Sequence, residues 1–273
     1  MAATRSQGTS TRDGFVAIPG GPRLHVLANG RPGRGSLLFI PGWTMPATVW
    51  QPQLEYFGPI RGAVAMEPRG HGLSAVGSGP HTPLQLASDV WAVAAALELE
   101  PVVLVAWSLA VMGALCAVDR FGSSWLAALV LVDGVPARIR DSSSERAHVQ
   151  VLDSLTRERR RTTESFVRSM FRKRQPGTVL RRLVDAALAT PAEVALELLS
   201  TAAATDCRSL LPRLACPTLV VAAAEPVLAA QREMAAAIPG CRLEVIHDAG
   251  HAVFMDQPSR FNAVLERFLA ELP

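Results

Sequence analysis

Lysine is almost missing from this chain. Lys173 is the only one in 273 residues, and every other basic side chain besides histidine is arginine. With alanine so abundant, the skew reads as genomic composition bias and carries no functional message. A net charge of +3 is too small for a surface that grips polyanions, so no nucleic-acid partner is expected. Cysteine is scarce as well. Cys116, Cys207, Cys216 and Cys241 show neither C-x-x-C nor metal-ligand spacing, so no metal site is expected. Each lies beside or within an apolar stretch, the setting of a small buried hydrophobe in a reducing compartment. No uninterrupted apolar run reaches the ~18 residues that span a bilayer. The Ser/Thr/Gly-rich start, Met1 to Asp13, lacks the apolar stretch of a signal peptide and reads as a disordered tail. The expectation is a cytoplasmic protein with no membrane contact.

What is present is a core-forming sequence, 49% hydrophobic and 19% charged, an ordinary composition for a globular protein. No internal repeat or long linker appears. Short β-branched or aliphatic runs alternate with longer helical patterns, which signals α/β architecture with a mostly parallel sheet and crossover helices. Eight strands are expected: Phe15–Ile18, Leu24–Ala28, Leu37–Ile40, Ala63–Met66, Val102–Ala106, Ala128–Val132, Thr218–Ala222 and Arg242–Ile246. The middle ones are apolar throughout, as strands covered on both faces must be. Helical patterns fall at about Val49–Phe57, Pro83–Leu97, Leu109–Phe121, Leu228–Ile238 and Pro258–Leu272. Pro83 and Pro258 suit a first helical turn, where the missing N–H costs nothing. From Gly134 to about Leu211 the strand pattern stops, and charged, Ala/Leu-rich helical sequence takes over. The expected organisation is therefore a tail over 1–13, a core over 14–133 and 212–273, and an inserted helical cap over 134–211.

The chemistry centres on Ser108. Val102-Val-Leu-Val-Ala106 is a buried strand, Leu109 opens a helix, and Ala106-Trp-Ser-Leu-Ala110 joins them. A serine on so tight a turn has its hydroxyl pushed out at the carboxyl end of the sheet. The following N–H, that of Leu109, points into the same space from a helix N-terminus. Small residues must stand two places either side, because strand and helix pass closely there. Earlier, Phe39-Ile-Pro-Gly-Trp43 ends a strand in a glycine-containing loop whose Trp43 N–H is a second candidate oxyanion donor. Met66-Glu-Pro-Arg-Gly-His-Gly-Leu-Ser74 ends the fourth strand. Ile246-His-Asp-Ala-Gly-His251 precedes Phe254-Met-Asp-Gln-Pro258 and a last amphipathic helix.

These motifs, in this order and spacing, resemble the α/β-hydrolase superfamily from Gly14 to Leu272. The likeness is to its lid-bearing esterases, which include cofactor-free haloperoxidases and small-ester or lactone hydrolases. The resemblance implies a soluble, cofactor-free serine hydrolase acting on a small-molecule ester. Ser108 would attack the acyl carbon, His251 would act as general base, and the N–H groups of Trp43 and Leu109 would hold the oxyanion. The family's acid follows the seventh strand, where Glu225 inherits the role by position. Asp133, at the end of the sixth strand, competes with it. A serine at the elbow excludes epoxide hydrolases and haloalkane dehalogenases of this fold, which need aspartate there. Acyl thioesterase and C–C bond hydrolase stay open, as does a catalytically weak ligand-binding or scaffolding relative.

The sequence departs from the family at Pro41, at Glu67, and at Ala106 and Ala110, where glycines are usual. Added methyls there would tilt the helix that carries the Leu109 N–H. In the cap, Arg157-Glu-Arg-Arg-Arg161 and Arg172-Lys-Arg174 flank Phe166, Val167, Met170 and Phe171 at helical spacing. That pattern makes an amphipathic lid helix with Phe166 and Met170 as an apolar, substrate-binding wall above Ser108. Alternatively, the basic cluster attracts anionic substrates such as acyl thioesters of coenzyme A.

Overall fold

The computed structural model describes residues 10–138, 142–223 and 227–272. Eight strands form one sheet: β1 (Arg12–Ala17), β2 (Arg23–Asn29), β3 (Leu37–Ile40), β4 (Ala63–Met66), β5 (Val102–Trp107), β6 (Leu126–Val132), β7 (Thr218–Ala223) and β8 (Arg242–Ile246). Their order is β1-β2-β4-β3-β5-β6-β7-β8. β1 pairs antiparallel with β2, and β2 antiparallel with β4, while the other pairings are parallel. β3, β4, β5 and β7 are buried at every position, which is why their sequences are uninterrupted aliphatic runs rather than alternating ones.

Alternate residues of the central strands feed two apolar layers. Leu104 and Ala106 of β5 face α2 (Pro83–Ala96), α3 (Ala110–Phe121) and α8 (Leu228–Ala237). Val103, Val105 and Trp107 face α1 (Gln51–Arg61), α9 (Val253–Asp256) and α10 (Pro258–Ala270). In the second layer the Trp50 and Phe254 rings stack with centroids 3.7 Å apart. Phe254 also meets Trp107 edge-on at 5.0 Å. The aromatic cluster thus packs directly beneath the residue that precedes Ser108.

Two boundaries differ most clearly from expectation. β1 begins at Arg12, inside the segment expected to be tail. Asp13 pairs with Leu27 in the ladder, and its carboxylate reaches His25 Nε2 at 2.8 Å. Arg12 and Asp13 are polar strand residues that only β2 recruits, so no local pattern announces them. Residues 1–9 of that segment lie outside the described residues. The first helix runs on to Arg61, past Pro59. Between β6 and β7 stand α4 (Ser142–Arg157), α5 (Arg159–Ser169), α6 (Gly177–Ala189) and α7 (Ala192–Ala204). The two ends of this insertion meet in an antiparallel bridge between Ala137 and Asp206. Among the described residues, no helix is long and apolar enough to cross a membrane.

Phe254 is fully buried among three aromatic rings, those of Trp50, Trp107 and Phe261. Phe254→Ala is expected to cost about 3–5 kcal/mol by removing this packing and leaving a cavity. Urea unfolding followed by tryptophan fluorescence measures it.

Candidate active site

Ser108 closes β5 with φ of 59°, a left-handed conformation that costs a non-glycine residue of order 1 kcal/mol or more. Its N–H donates to Val132 O at 2.9 Å, and its C=O accepts from Val111 N–H as α3 begins. Close approach on both sides holds the turn. A Cβ on Gly42 would stand 3.0 Å from Ser108 Cβ, and one on Gly134 would stand 2.5 Å from the Ser108 carbonyl oxygen. Ala106 and Ala110 are completely buried in the α2/α3 core layer, so the turn forms with two methyls where glycines are usual. Among the described residues, the backbone N–H groups of Trp43 and Leu109 make no hydrogen bond within the chain. Leu109 follows Ser108 directly, and Gly42, which precedes Trp43, packs against Ser108.

His251 Nε2 lies 2.8 Å from Ser108 Oγ, and its Nδ1 lies 2.7 Å from Asp133 Oδ2. With the imidazole proton on Nδ1, that nitrogen donates to the carboxylate and Nε2 accepts from the serine hydroxyl. The place on Nδ1 expected first for Glu225 is therefore taken by Asp133, and Glu225 itself lies outside the described residues. Asp133 follows β6 at φ 41° and is buried. Its other oxygen, Oδ1, accepts from Ala223 N–H and from Gln231 Nε2, each at 2.9 Å. A carboxylate buried in this way is tolerable only because three donors replace its water.

Other side chains set the loops. Trp107 Nε1 donates to His251 O at 2.9 Å. Asp256 Oδ2 accepts from the N–H of Gly250 and of Arg172, both at 2.8 Å, so one buried carboxylate ties the histidine loop to the insertion. Glu67 accepts from Ala47 N–H on Oε1 and from Leu73 N–H on Oε2, and Oε2 also bonds His25 Nδ1. The bidentate Arg69–Asp89 pair, at 2.6 and 2.8 Å, anchors the neighbouring turn to α2. Behind the Trp43 loop, His71 Nε2 accepts from Thr44 N–H at 2.9 Å while Nδ1 donates to Arg69 O. Burial pushes the His71 pKa down to about 4 against the opposing pull of the Arg69 carbonyl.

Gln231 and Asp256 escape sequence reading. Each is a polar residue on an otherwise apolar helix face, and that is the whole of the local signal. Trp43 spans the site in another way: its indole donates to Ala195 O in α7 at 2.8 Å, and its ring meets Phe166 at 5.2 Å. A cavity of about 480 Å³ opens over Ser108 and His251. Phe166, Met170, Met112 and Leu199 supply apolar wall, with Arg138 and His148 at its polar side. Burial, then the nearby Arg138 charge, lower the His148 pKa. The first basic stretch of the insertion is largely paired. Arg157 bonds Asp153, Arg161 bonds Glu158, and Arg160 lies within 3.8 Å of Glu164 and Asp185. Among the described residues, no group of three or more His, Cys, Asp or Glu side chains is placed to hold a metal ion.

Comparison with known proteins is consistent with this geometry. Residues 37–264 match the model of the alpha/beta hydrolase family. Pimeloyl-(acyl-carrier protein) methyl ester esterase of Xanthomonas oryzae pv. oryzae is 31% identical over 250 residues, which cover 87% of this chain and 96% of that protein. 3-Oxoadipate enol-lactonase 2 of Acinetobacter baylyi is 27% identical, with 90% and 94% of the two chains covered. The bromoperoxidase structure from Bacillus anthracis superposes with a TM-score of 0.87 at 18% identity, covering 96% of this chain and all of that one.

Two outcomes follow from these contacts. The unfolded His71 imidazole takes a proton near pH 6.5, whereas the folded one stays neutral down to about pH 4. Between those values the unfolded state binds more protons, so stability falls as pH drops through that window. The shift corresponds to on the order of 3 kcal/mol. His71→Gln keeps an acceptor and a donor without titrating, and chemical denaturation at pH 7 and pH 4 should show a smaller loss for it than for the parent. Gln231→Leu, which strips one donor from Asp133 Oδ1, should lower kcat for an ester about 10-fold and leave KM nearly unchanged. Steady-state kinetics on p-nitrophenyl acetate distinguishes the two parameters.

Proposed function

Because the chain belongs to the alpha/beta hydrolase family, we propose that it is a serine-dependent ester hydrolase whose triad is Ser108, His251 and Asp133. The observation that carries the reading is the unbroken chain from Ser108 Oγ through both imidazole nitrogens to Asp133 Oδ2. A relative that had kept the fold only to bind a ligand would have no need to maintain it.

In the proposed cycle Ser108 Oγ attacks the acyl carbon while His251 Nε2 takes its proton. Asp133 keeps the other imidazole proton on Nδ1 and stabilises the imidazolium that forms. The Trp43 and Leu109 N–H groups receive the developing oxyanion, an interaction worth roughly 3–4 kcal/mol per donor in comparable sites. His251 returns the proton to the leaving alcohol, and water then repeats the sequence on the acyl-enzyme. The cavity over Ser108 has mainly apolar walls, which suits uncharged short-to-medium acyl groups in carboxylic esters or lactones. The names of the similar proteins, a methyl ester esterase and an enol-lactonase, agree with that substrate class. Carboxylates on the insertion already pair with its arginines, so attraction of an anionic thioester is weak support for the thioesterase alternative.

Ser108→Ala should abolish labelling by a fluorophosphonate probe and lower ester turnover by about 10³-fold or more. Asp133→Asn should cost a comparable factor, up to roughly 10⁴, while Glu225→Gln stays within a few-fold of the parent. Equal labelling of the Ser108→Ala protein would defeat the reading. A loss confined to the Glu225 variant would move the acid to the seventh strand.

A further inference from the structure

Away from the triad, two thiols that are 91 residues apart in sequence come together. Cys116 Sγ in α3 and Cys207 Sγ, just beyond α7, are 3.8 Å apart. Cys207 belongs to the neck of the insertion: its N–H donates to Pro136 O at 2.8 Å, and its neighbour Asp206 bridges to Ala137. α3 is the helix that starts two residues after Ser108. Cys116 is half-buried and Cys207 is buried. We propose that Cys116 and Cys207 are a peroxide-responsive dithiol that closes to a disulfide, stapling the neck of the insertion to α3.

The two thiols are unequal in a way that sets the order of events. Either sulfur can donate in the contact between them; that contact holds the Cys116 pKa below its ordinary value, while the same contact and burial raise that of Cys207. Cys116 is therefore the nucleophile and also the more accessible of the pair. Its thiolate attacks one peroxide oxygen, the O–O bond breaks, and the departing hydroxide takes up a proton as water. The Cys207 sulfur then attacks the resulting sulfenic acid at Cys116, and the S–O bond breaks to release a second water that carries off the Cys207 proton. Two thiols lose two electrons and the peroxide gains them. Bonded sulfurs stand about 2.0 Å apart, so side-chain rotation must bring the pair together by roughly 1.8 Å. Cys216 and Cys241 have no such partner. Burial raises both thiols, that of Cys241 to about 11, which makes them internal controls.

The test is treatment of the full-length protein with hydrogen peroxide, followed by intact mass and non-reducing peptide mapping, with and without dithiothreitol. The expected result is loss of two hydrogens, a peptide pair joined through Cys116 and Cys207, and a reversible rise in Tm on the order of 10 °C, as a cross-link over so long a loop implies. Cys116→Ser and Cys207→Ser should each abolish the cross-link and the Tm rise. Mapping of the parent protein decides the matter even if a serine variant fails to fold. Stable addition of oxygen at Cys116 without a joined peptide, or cross-linking of Cys216 or Cys241 to the same extent, would overturn the proposal. Ester turnover plays no part in these readouts, so the result is independent of the function proposed for Ser108.

Discussion

The carboxylate of Asp133 is the point on which the site depends. Burying an anion costs several kcal/mol unless donors replace its hydration, and here the replacements come from three separate parts of the chain. His251 arrives from the loop after β8, Ala223 from the end of β7 and Gln231 from α8. The desolvation that would otherwise be a penalty becomes a geometric constraint, because the carboxylate is satisfied only when all three elements are in register. Its left-handed backbone turn is a further sign that the position is dictated by what surrounds it. Ser108, one strand away, carries the same kind of strain. Neighbouring parallel strands therefore end in two unfavourable backbone conformations, held by the packing of the sheet beneath them.

Other buried polar residues extend the same logic to the loops. Glu67, Asp89 and Asp256 are all buried and take most of their bonds from backbone N–H groups or from arginine. Each fixes a segment that has no regular secondary structure of its own. Glu67 holds the stretch that follows Trp43, Arg69–Asp89 holds the turn after β4, and Asp256 holds the approach to His251. Loops so pinned can keep N–H groups such as that of Trp43 unpaired within the chain without collapsing to satisfy them elsewhere. Trp43 connects this rigid floor to the insertion through Ala195 and Phe166, so the loop after β3 also supports the cavity wall.

The insertion is built differently. Its helices carry mixed charge outside and an apolar stripe inside, and the stripe contributes both to the cavity and to the core layers. Its attachment is narrow: the Ala137–Asp206 bridge and the Cys207–Pro136 hydrogen bond close the neck. A cross-link at that neck would tie the insertion to the helix that follows Ser108.

Local sequence determined a good deal. β3 and β4 begin and end where the apolar runs do, with Ser36 and Pro41 bounding the one and Gly62 and Glu67 the other. Ser108 and His251 stand out as candidates for a related reason: each lies in a short motif whose residue types are demanded by a tight turn. The partner of the imidazole does not. Asp133 and Glu225 each follow a strand-like apolar run in the sequence, and nothing within ten residues of either says which reaches the imidazole. That choice depends on how β6, β7 and the loop after β8 stack side by side, a relation spanning 118 residues between Asp133 and His251. The same distance problem hid Gln231, the polar start of β1 and the Cys116–Cys207 pair. In each of these, one side chain acquires its role from a partner far along the chain, and sheet order and register alone bring the two within bonding distance.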